Sequence, residues 1–445
     1  MHSVLASIGA HAAVAAILVI PVTLLVFRRS PEAALCVVIA ALIASNSSLL
    51  WLKHPFLTAR WAALFTLGVV LLPELYRAGR EDLRRLALLA IVPAICLLSV
   101  AWSVEPRLTF ERAVTFTVVV WISAAYALRW GREPARLGNF VDAAAVLAVA
   151  VLALSLLAAP LTARSSLVHQ FRGVFENPNG LGLFLGLTVP FVAGALLRRW
   201  TSLWPLLAYL IMCTIVVTDA RARGGLVVLT IGAVGFALTR RQWRQACVVG
   251  LTIVAVVGGV LAQGQSLSSP AAVHTAPSGP STGTKPSSLS NRPTPVPREP
   301  LVSRLTGARN EAWRATFRLV KRKPVLGYGF GTGDRVFGLN PAVAHFRYYE
   351  GADPASAYLR ALLELGVLSV VIFVPLLAAA VLGARLLVSG GSIDGSCCAL
   401  VLVGGLAAGF LESIFTTAGA PWAPLLWVSA AGCYACRRVD RAGRA

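Results

Sequence analysis

Charged residues are scarce in this sequence of 445 residues: Asp, Glu, Lys and Arg together make up 13%, whereas 57% of the residues are hydrophobic. A soluble protein of this length needs more polar surface than that to cover its core. Apolar runs near 20 residues recur along the whole chain, and about 20 residues span the hydrocarbon of a bilayer as a helix. Because the runs are continuous rather than alternating, the sequence predicts helices and not barrel strands.

Acidic residues are few, with 19 Asp and Glu against 40 Lys and Arg. In a soluble protein this excess would suggest a nucleic-acid partner, but no polar domain here carries basic residues interleaved with aromatics. Basic connections are instead what the positive-inside rule requires of a membrane protein. The sequence therefore predicts a membrane partner and no nucleic acid.

Cysteine is missing from the one long polar segment, because all eight cysteines lie in or beside apolar runs. A disulfide framework is therefore not expected. Cys433 and Cys436 form a CxxC pair without a second pair or histidines, which is a weak indication of metal binding, and we predict no metal site. The Walker loop, HExxH and GxSxG motifs are also absent, as are the two similar halves of many transporters.

The apolar runs predict an all-α polytopic membrane protein with about 12 (11–13) transmembrane helices. The first run is too long and too weakly basic at its start for a signal peptide and is interpreted as a retained helix. The candidate spans are residues 4–27, 33–52, 57–76, 86–103, 113–130, 140–160, 180–197, 201–218, 224–239, 245–263, 358–386, 396–416 and 420–436. Basic clusters fall on alternate connections, which predicts that those connections are cytoplasmic and that the others face outward.

One large extracytoplasmic loop is predicted to divide the chain. Residues 1–263 hold transmembrane helices 1–10, residues 264–357 form the loop, and residues 358–445 hold the C-terminal helices and a basic cytoplasmic tail. The first part of the loop, 264–303, is rich in Ser, Pro, Thr and Gly and is predicted to be flexible. The loop carries twelve Lys and Arg against five Asp and Glu, which suggests an anionic partner.

The second part of the loop, 304–357, is predicted to be partly helical. Trp313, Phe317 and Val320 share one face at helical spacing, with basic residues interspersed. Such a helix can lie in the membrane interface. Pro324 ends the pattern, and four glycines between residues 327 and 333 predict a flexible turn.

Arginines at outward connections are the first candidates for chemistry. Arg172 lies in a connection beside the turn sequence Asn-Pro-Asn-Gly, and Arg221 and Arg223 lie in a tight connection between two spans. Guanidinium groups bind phosphate bidentately, and a helix beginning near Gly224 adds amide donors. The alternative for Arg221 and Arg223 is that they only reach toward lipid headgroups.

Arg309 opens the amphipathic helix, and Glu364 follows the point where the loop re-enters the membrane. An ionisable group inside a span is costly, so Glu364 is a candidate functional residue. The alternative is a buried structural carboxylate paired with an arginine.

These stretches, taken in order, resemble the bacterial family of O-antigen ligases, O-antigen polymerases and related protein O-oligosaccharyltransferases. The resemblance covers about residues 100 to 370, and each motif is weak alone. The matching stretches are Trp102-Ser-Val-Glu-Pro106, Phe171-Arg-Gly-Val-Phe-Glu-Asn-Pro-Asn179, Ala222-Arg-Gly-Gly225, Arg309-Asn-Glu-Ala-Trp313, Pro324-Val-Leu-Gly-Tyr-Gly-Phe-Gly331 and Tyr358-Leu-Arg-Ala-Leu-Leu-Glu-Leu-Gly366.

The resemblance implies a multi-pass protein of the bacterial inner (cytoplasmic) membrane. It would move a glycan from an undecaprenyl-diphosphate carrier to a lipid or glycan acceptor at the outer face, without nucleotide, metal or other cofactor. Carried over by position, Arg172, Arg223 and Arg309 are implied to hold the diphosphate. Arg221, beside Arg223, and Tyr358, in the last matching stretch, complete the candidate substrate-binding residues.

The family motif His-Asn-Ser-Tyr-Leu is replaced by Ala355-Ser-Ala-Tyr-Leu359, so alanine stands where the family has its general base. His345, Asp353 and Glu364 are the candidate catalytic residues, with Glu350 a further acid able to activate a hydroxyl. The alternative function is a non-catalytic family member that binds or scaffolds components of a polysaccharide export complex.

Overall fold

The computed structural model describes residues 2–162, 170–199, 204–239, 309–340, 354–388 and 392–442. Within these ranges the chain is helical, and the sole strand-like pairing is an isolated bridge between Ser47 and Phe175. The predicted span 245–263 and the predicted flexible segment 264–303 lie outside the described residues.

Helices account for every other predicted span. Those of seven residues or more among the described residues are α1 (His2–Arg29), α2 (Pro31–Ser45), α3 (Leu50–Val70), α4 (Arg80–Leu98), α5 (Pro106–Arg132), α6 (Ala135–Leu157), α7 (Pro178–Arg199), α8 (Trp204–Asp219), α9 (Arg223–Thr239), α10 (Arg309–Val320), α11 (Gly333–Leu339), α12 (Ala357–Leu365), α13 (Val370–Val388), α14 (Ile393–Ala408) and α15 (Trp422–Ala442).

Four helical stretches of the described chain are long and apolar enough to cross a membrane: Pro106–Arg132, Ala135–Leu157, Pro178–Arg199 and Ala357–Arg385. Shorter apolar helices accompany them. The all-helical part of the predicted fold and its membrane character are thereby confirmed, whereas the count of about 12 crossings stays a prediction.

The predicted span 358–386 is not one regular helix. It bends after α12 at Gly366, whose φ is +56, and passes through a 3₁₀ turn before α13. A Cβ at Gly366 would lie 2.4 Å from the carbonyl oxygen of Val325, so glycine is required where the loop crosses this helix. A hydropathy profile alone cannot predict such a bend.

Ion pairs gather at one end of the helix bundle, which we call the ion-pair end. Glu74 accepts hydrogen bonds from Arg129 at 3.0 Å and from Arg132 at 2.7 Å. Arg198 pairs with Asp142, which lies near the start of α6, the helix that follows Arg132. Two of the basic clusters that charge assigns to one side of a membrane, at Arg129–Arg132 and at Arg198, therefore lie at one end of the bundle.

At the opposite end, which we call the connection end, the inter-helix connections hydrogen-bond to one another. The N–H of Ser48 donates to the carbonyl of Val174 at 3.0 Å, and the N–H of Glu176 donates to Asn46 at 2.8 Å. The Asn46 amide donates in turn to the carbonyl of Gly419 at 3.0 Å. The connection that carries Arg172 is thus joined to two other connections at this end.

The segment after α10 packs tightly onto the connection end and is not the flexible turn predicted from its glycines. Gly327 and Gly329 have φ values of +67 and +103. A Cβ at Gly329 would lie 2.3 Å from Ser103 Oγ, and its N–H donates to the carbonyl of Glu364 at 2.8 Å. These glycines let the loop backbone approach the bundle closely.

Helix α10 lies against the protein through small residues. Its buried face consists of Ala312, Ala315, Thr316, Leu319 and Val320, whereas Phe317 is half exposed. The predicted helix exists, and of the face predicted to lie in the membrane interface Phe317 is exposed whereas Val320 is buried against the protein. Phe317 therefore remains available to a membrane interface.

Candidate functional site

The turn between α8 and α9 fixes two of the candidate arginines. Arg221 adopts a left-handed φ of +53, a conformation that costs a non-glycine residue about 1 kcal/mol or more. The N–H of Arg221 donates to Thr218 at 2.9 Å and that of Ala222 to Val217 at 3.1 Å. Because Ala222 is fully buried, packing holds the turn, and Arg221 and Arg223 project from a defined backbone.

The first turn of α9 lies in backbone contact with α7. A Cβ at Gly225 would lie 2.5 Å from the carbonyl carbon of Gly182, so the two helices approach as closely as glycine allows. The first amides of a helix have no partner within the helix, and they carry its partial positive charge. This contact therefore holds the N-terminus of α9, with its partial positive charge, at the connection end of the bundle.

An ion pair brings the large loop to this helix end. Arg309, the first residue of α10, donates from Nη2 to Glu412 Oε1 at 2.7 Å. The two side chains are 15% and 18% exposed. A Cβ at Gly224 would lie 3.0 Å from Glu412 Cγ, so Glu412 lies over the first turn of α9. Arg223 immediately precedes Gly224, so the Arg309–Glu412 pair lies next to it.

Arg223, Arg309 and Glu412 form what we call the Arg–Glu cluster. Two arginines meet there at a helix N-terminus, although residues 223, 309 and 412 are far apart in the chain. Such a group of donors binds an anion with bidentate oxygens, above all a phosphate. The structure thus brings together two of the five predicted substrate-binding residues.

The segment that leads into α12 contacts the same cluster through its backbone. The N–H of Ala357 donates to the carbonyls of Gly409 at 2.8 Å and Glu412 at 3.0 Å, and Ser356 Oγ donates to Gly409 at 3.2 Å. Ala355 is buried and has a left-handed φ of +51. The position of the family histidine therefore lies two residues from a direct contact with Glu412.

Arg172 lies elsewhere on the connection end. It is half-buried in the connection that packs on residues 46–48. Its Nε is buried and has no hydrogen-bond partner among the described residues. Arg221, at the edge of the Arg–Glu cluster, is exposed.

Tyr358 does not point its hydroxyl at the cluster. The hydroxyl donates to the carbonyl of Leu406 at 2.8 Å, and the ring packs on Phe373 and Phe410. These contacts favour a role in fixing α12 to its neighbours.

Glu364 is completely buried. Its Oε1 accepts from Arg360 Nε at 2.9 Å and from the N–H of Gly333 at 3.2 Å. This arrangement fits the structural carboxylate that the sequence leaves as the alternative. His345, Glu350 and Asp353 lie outside the described residues.

Glu412 is the residue that sequence reasoning missed. A signal was available, because it is the one acidic residue between Asp394 and Asp440 and it falls within the predicted span 396–416. By the argument applied to Glu364, a carboxylate in such a stretch is a candidate functional residue. Nothing in the sequence, however, indicates that its partner is Arg309.

Comparison with known proteins adds one finding. Residues 206–374 match the family model described as O-antigen ligase, a segment that contains Arg223, Arg309 and Ala355 but neither Arg172 nor Glu412. No curated protein and no solved structure matches the chain. The order of motifs along the sequence and this match agree, and residues 206–374 are similar to the O-antigen ligase family.

Proposed function

We propose that this protein transfers glycan from an undecaprenyl-diphosphate-linked donor to an acceptor hydroxyl, as a ligase or a polymerase. The observation that carries the proposal is that Arg223 and the Arg309–Glu412 pair lie together at the first turn of α9. Two guanidinium groups beside the N-terminal amides of a helix suit a diphosphate, which offers several oxygens and a high negative charge. The family match supports the same chemistry independently.

The reaction is a displacement at the anomeric carbon. The acceptor oxygen forms a bond to that carbon, while the bond from the carbon to the diphosphate oxygen breaks and its electron pair stays on the diphosphate. Negative charge therefore gathers where Arg223 and Arg309 already lie. Preorganised donors of this kind contribute about 10² to 10³ in rate each.

Arg172 and Arg221 are proposed to extend the anionic site along the connection end. Arg172 keeps an unpartnered, buried Nε among the described residues, and Arg221 is exposed beside the Arg–Glu cluster. Both suit the more distant phosphate or the first sugar.

The connection end is proposed to face outward from the bacterial inner membrane. The basic residues of the ion-pair end, including Arg129, Arg132 and Arg198, then lie on the cytoplasmic side, as the positive-inside rule requires. In this orientation glycan transfer takes place at the outer face of the membrane, where a lipid or glycan acceptor would bind.

Reconstitution in liposomes tests the proposal. The purified protein is mixed with undecaprenyl-diphosphate-linked oligosaccharide, with and without lipid acceptors, and the products are separated on a gel. A ladder identifies a polymerase and a single shifted acceptor band identifies a ligase. Arg223→Glu should abolish product, whereas the matched control Arg314→Glu, on the exposed side of α10, should not. Full activity of Arg223→Glu would remove the diphosphate role.

One observation favours a second function, in which the chain binds a carrier-linked glycan without reacting it. Ala355 stands where the family has histidine. In that case wild-type protein bound to the donor would yield no product with any acceptor, in an assay where a working family member does.

A further inference from the structure

We infer that Glu412 is the general base that takes the proton of the acceptor hydroxyl, a role that rests on the proposed glycan transfer. Glu412 lies outside the segment that matches the family model, 38 residues beyond its last residue, 374. It is nevertheless the carboxylate that the fold brings to the Arg–Glu cluster.

The geometry places Glu412 beside the proposed leaving group. Its Oε1 accepts one hydrogen bond from Arg309, at 2.7 Å. A guanidinium has five N–H donors, so Arg309 can hold Glu412 through Nη2 and a phosphate through its remaining N–H groups. A carboxylate and a phosphate on one guanidinium lie side by side, so the sugar carried by the phosphate lies next to Glu412. The attacking hydroxyl approaches the anomeric carbon from the face opposite the diphosphate, and the Glu412 carboxylate takes its proton there.

Glu412 also lies next to the position where the family has its base. The carbonyl of Glu412 accepts from the N–H of Ala357 at 3.0 Å, so residues 355–357 and Glu412 are joined through the backbone. The buried Ala355 has no side-chain group able to take a proton. A base from the connection between α14 and α15 would act at the same place as a base from residue 355.

Two other described acids near the loop are held elsewhere. Glu364 is fully buried against Arg360 and Gly333. Asp334 accepts hydrogen bonds from Arg112 at 2.7 and 3.1 Å. Glu412, by contrast, is held by Arg309 within the Arg–Glu cluster, where the diphosphate is proposed to bind, and its side chain is 18% exposed.

The proton balance of the step is simple. As the acceptor oxygen bonds to the anomeric carbon, its proton passes to a Glu412 carboxylate oxygen. The electron pair of the broken bond leaves with the diphosphate against Arg223 and Arg309. After the products separate, the Glu412 carboxyl returns its proton to water.

The test compares wild type, Glu412→Gln and Glu412→Ala in the liposome assay, with donor binding measured separately by titration of undecaprenyl-diphosphate-linked oligosaccharide. Loss of a general base lowers kcat by about 10² to 10⁴. We expect that loss in both variants, with donor affinity within about threefold of wild type, and partial recovery of Glu412→Ala by added formate. Glu111→Gln, a more exposed acid in α5, is the matched control and should keep wild-type kcat.

The outcomes separate this inference from the proposed function. An active wild type with a kcat for Glu412→Gln within about threefold would overturn the base role and leave glycan transfer intact. The base role is also overturned if kcat and donor affinity fall together without recovery by formate, because Glu412 would then only position Arg309. A wild type that yields no product with any acceptor would remove the proposed function, and the base with it.

Discussion

Arg309 and Glu412 are 103 residues apart in the chain, and their side chains form an ion pair 2.7 Å long. One belongs to the large loop and the other to the connection between α14 and α15. Because the pair is mostly buried, it contributes to how the loop is held on the helix bundle. The same guanidinium is proposed to bind the donor, so docking of the loop and assembly of the anionic site depend on one residue.

The contact between Gly182 and Gly225 leads to the first prediction. In Gly225→Ala, the added methyl would lie 2.5 Å from the Gly182 carbonyl carbon and would push α9 away from α7. Overpacking of this kind costs about 1–3 kcal/mol. Displacement of Arg223 by about 1 Å would further lower transfer, by up to about 10²-fold.

Thermal unfolding in detergent and the liposome assay measure the two effects. Gly338→Ala is the matched control, because a Cβ at Gly338 meets nothing within 4 Å. If Gly225→Ala is as stable and active as this control, the close packing of α7 and α9 does not position Arg223.

Asp334 gives a second prediction, about pH. Burial raises its pKa, but the hydrogen bond and charge of Arg112, with the charge of Arg360, outweigh that effect, and the net pKa lies below its ordinary value. The folded state therefore binds the proton more weakly than the unfolded state. Its stabilising contribution is complete above the unfolded-state pKa of about 3.9 and is lost as the pH falls through the lower folded-state value.

Because the Asp334 side chain is 44% exposed, this contribution should be under about 1 kcal/mol. Amide hydrogen exchange in α11, corrected for the intrinsic rates, should show protection decreasing as the pH falls below about 4. Asp334→Asn should show lower protection at neutral pH and none of this titration. An unchanged pH profile in that variant would assign the titration to another group.

Glu364 yields a third prediction, which separates its two possible roles. Glu364→Ala removes the carboxylate paired with the largely buried Arg360, and breaking a buried pair in this way costs about 3–5 kcal/mol. The double variant Glu364→Met with Arg360→Met should recover most of that stability. Unfolding in detergent measures it, and kcat per folded molecule in the double variant should stay near wild type. A stable double variant without transfer would make Glu364 a catalytic candidate again.

Much of the fold could be predicted from local sequence. The tight turn at Arg221 and the start of α9, predicted at residue 224 and observed at Arg223, follow from hydropathy and from adjacent glycines. The bend at Gly366 could not be predicted in this way, because it depends on the carbonyl of Val325 crossing the helix. Local patterns report local structure, and this bend results from a contact between distant segments.

The candidate site shows the same limit. The tight turn after α8 made Arg223 a candidate binding residue from the sequence, and the position of Arg309 at the start of an amphipathic helix made it another. Their proximity, however, depends on how the large loop packs on the helix bundle. Glu412 could have been selected by the argument used for Glu364, but the sequence does not indicate that its partner is Arg309. The sequence also did not indicate that small residues such as Ala315 pack against the protein while Phe317 stays exposed.

The final prediction concerns residue 355. If Glu412 acts where the family histidine acts, then Ala355→His should restore transfer to Glu412→Gln. The left-handed φ of +51 at this position favours the exchange, because histidine adopts that conformation more readily than most residues. The recovered rate should rise with pH through about 6.5, the ordinary pKa of imidazole, because the neutral ring is the base.

Ala355→Gln on the same background supplies a side chain of similar size without a base and should stay inactive. Transfer restored equally by glutamine and histidine would mean that bulk at residue 355, and not a base, is what the double variant supplies.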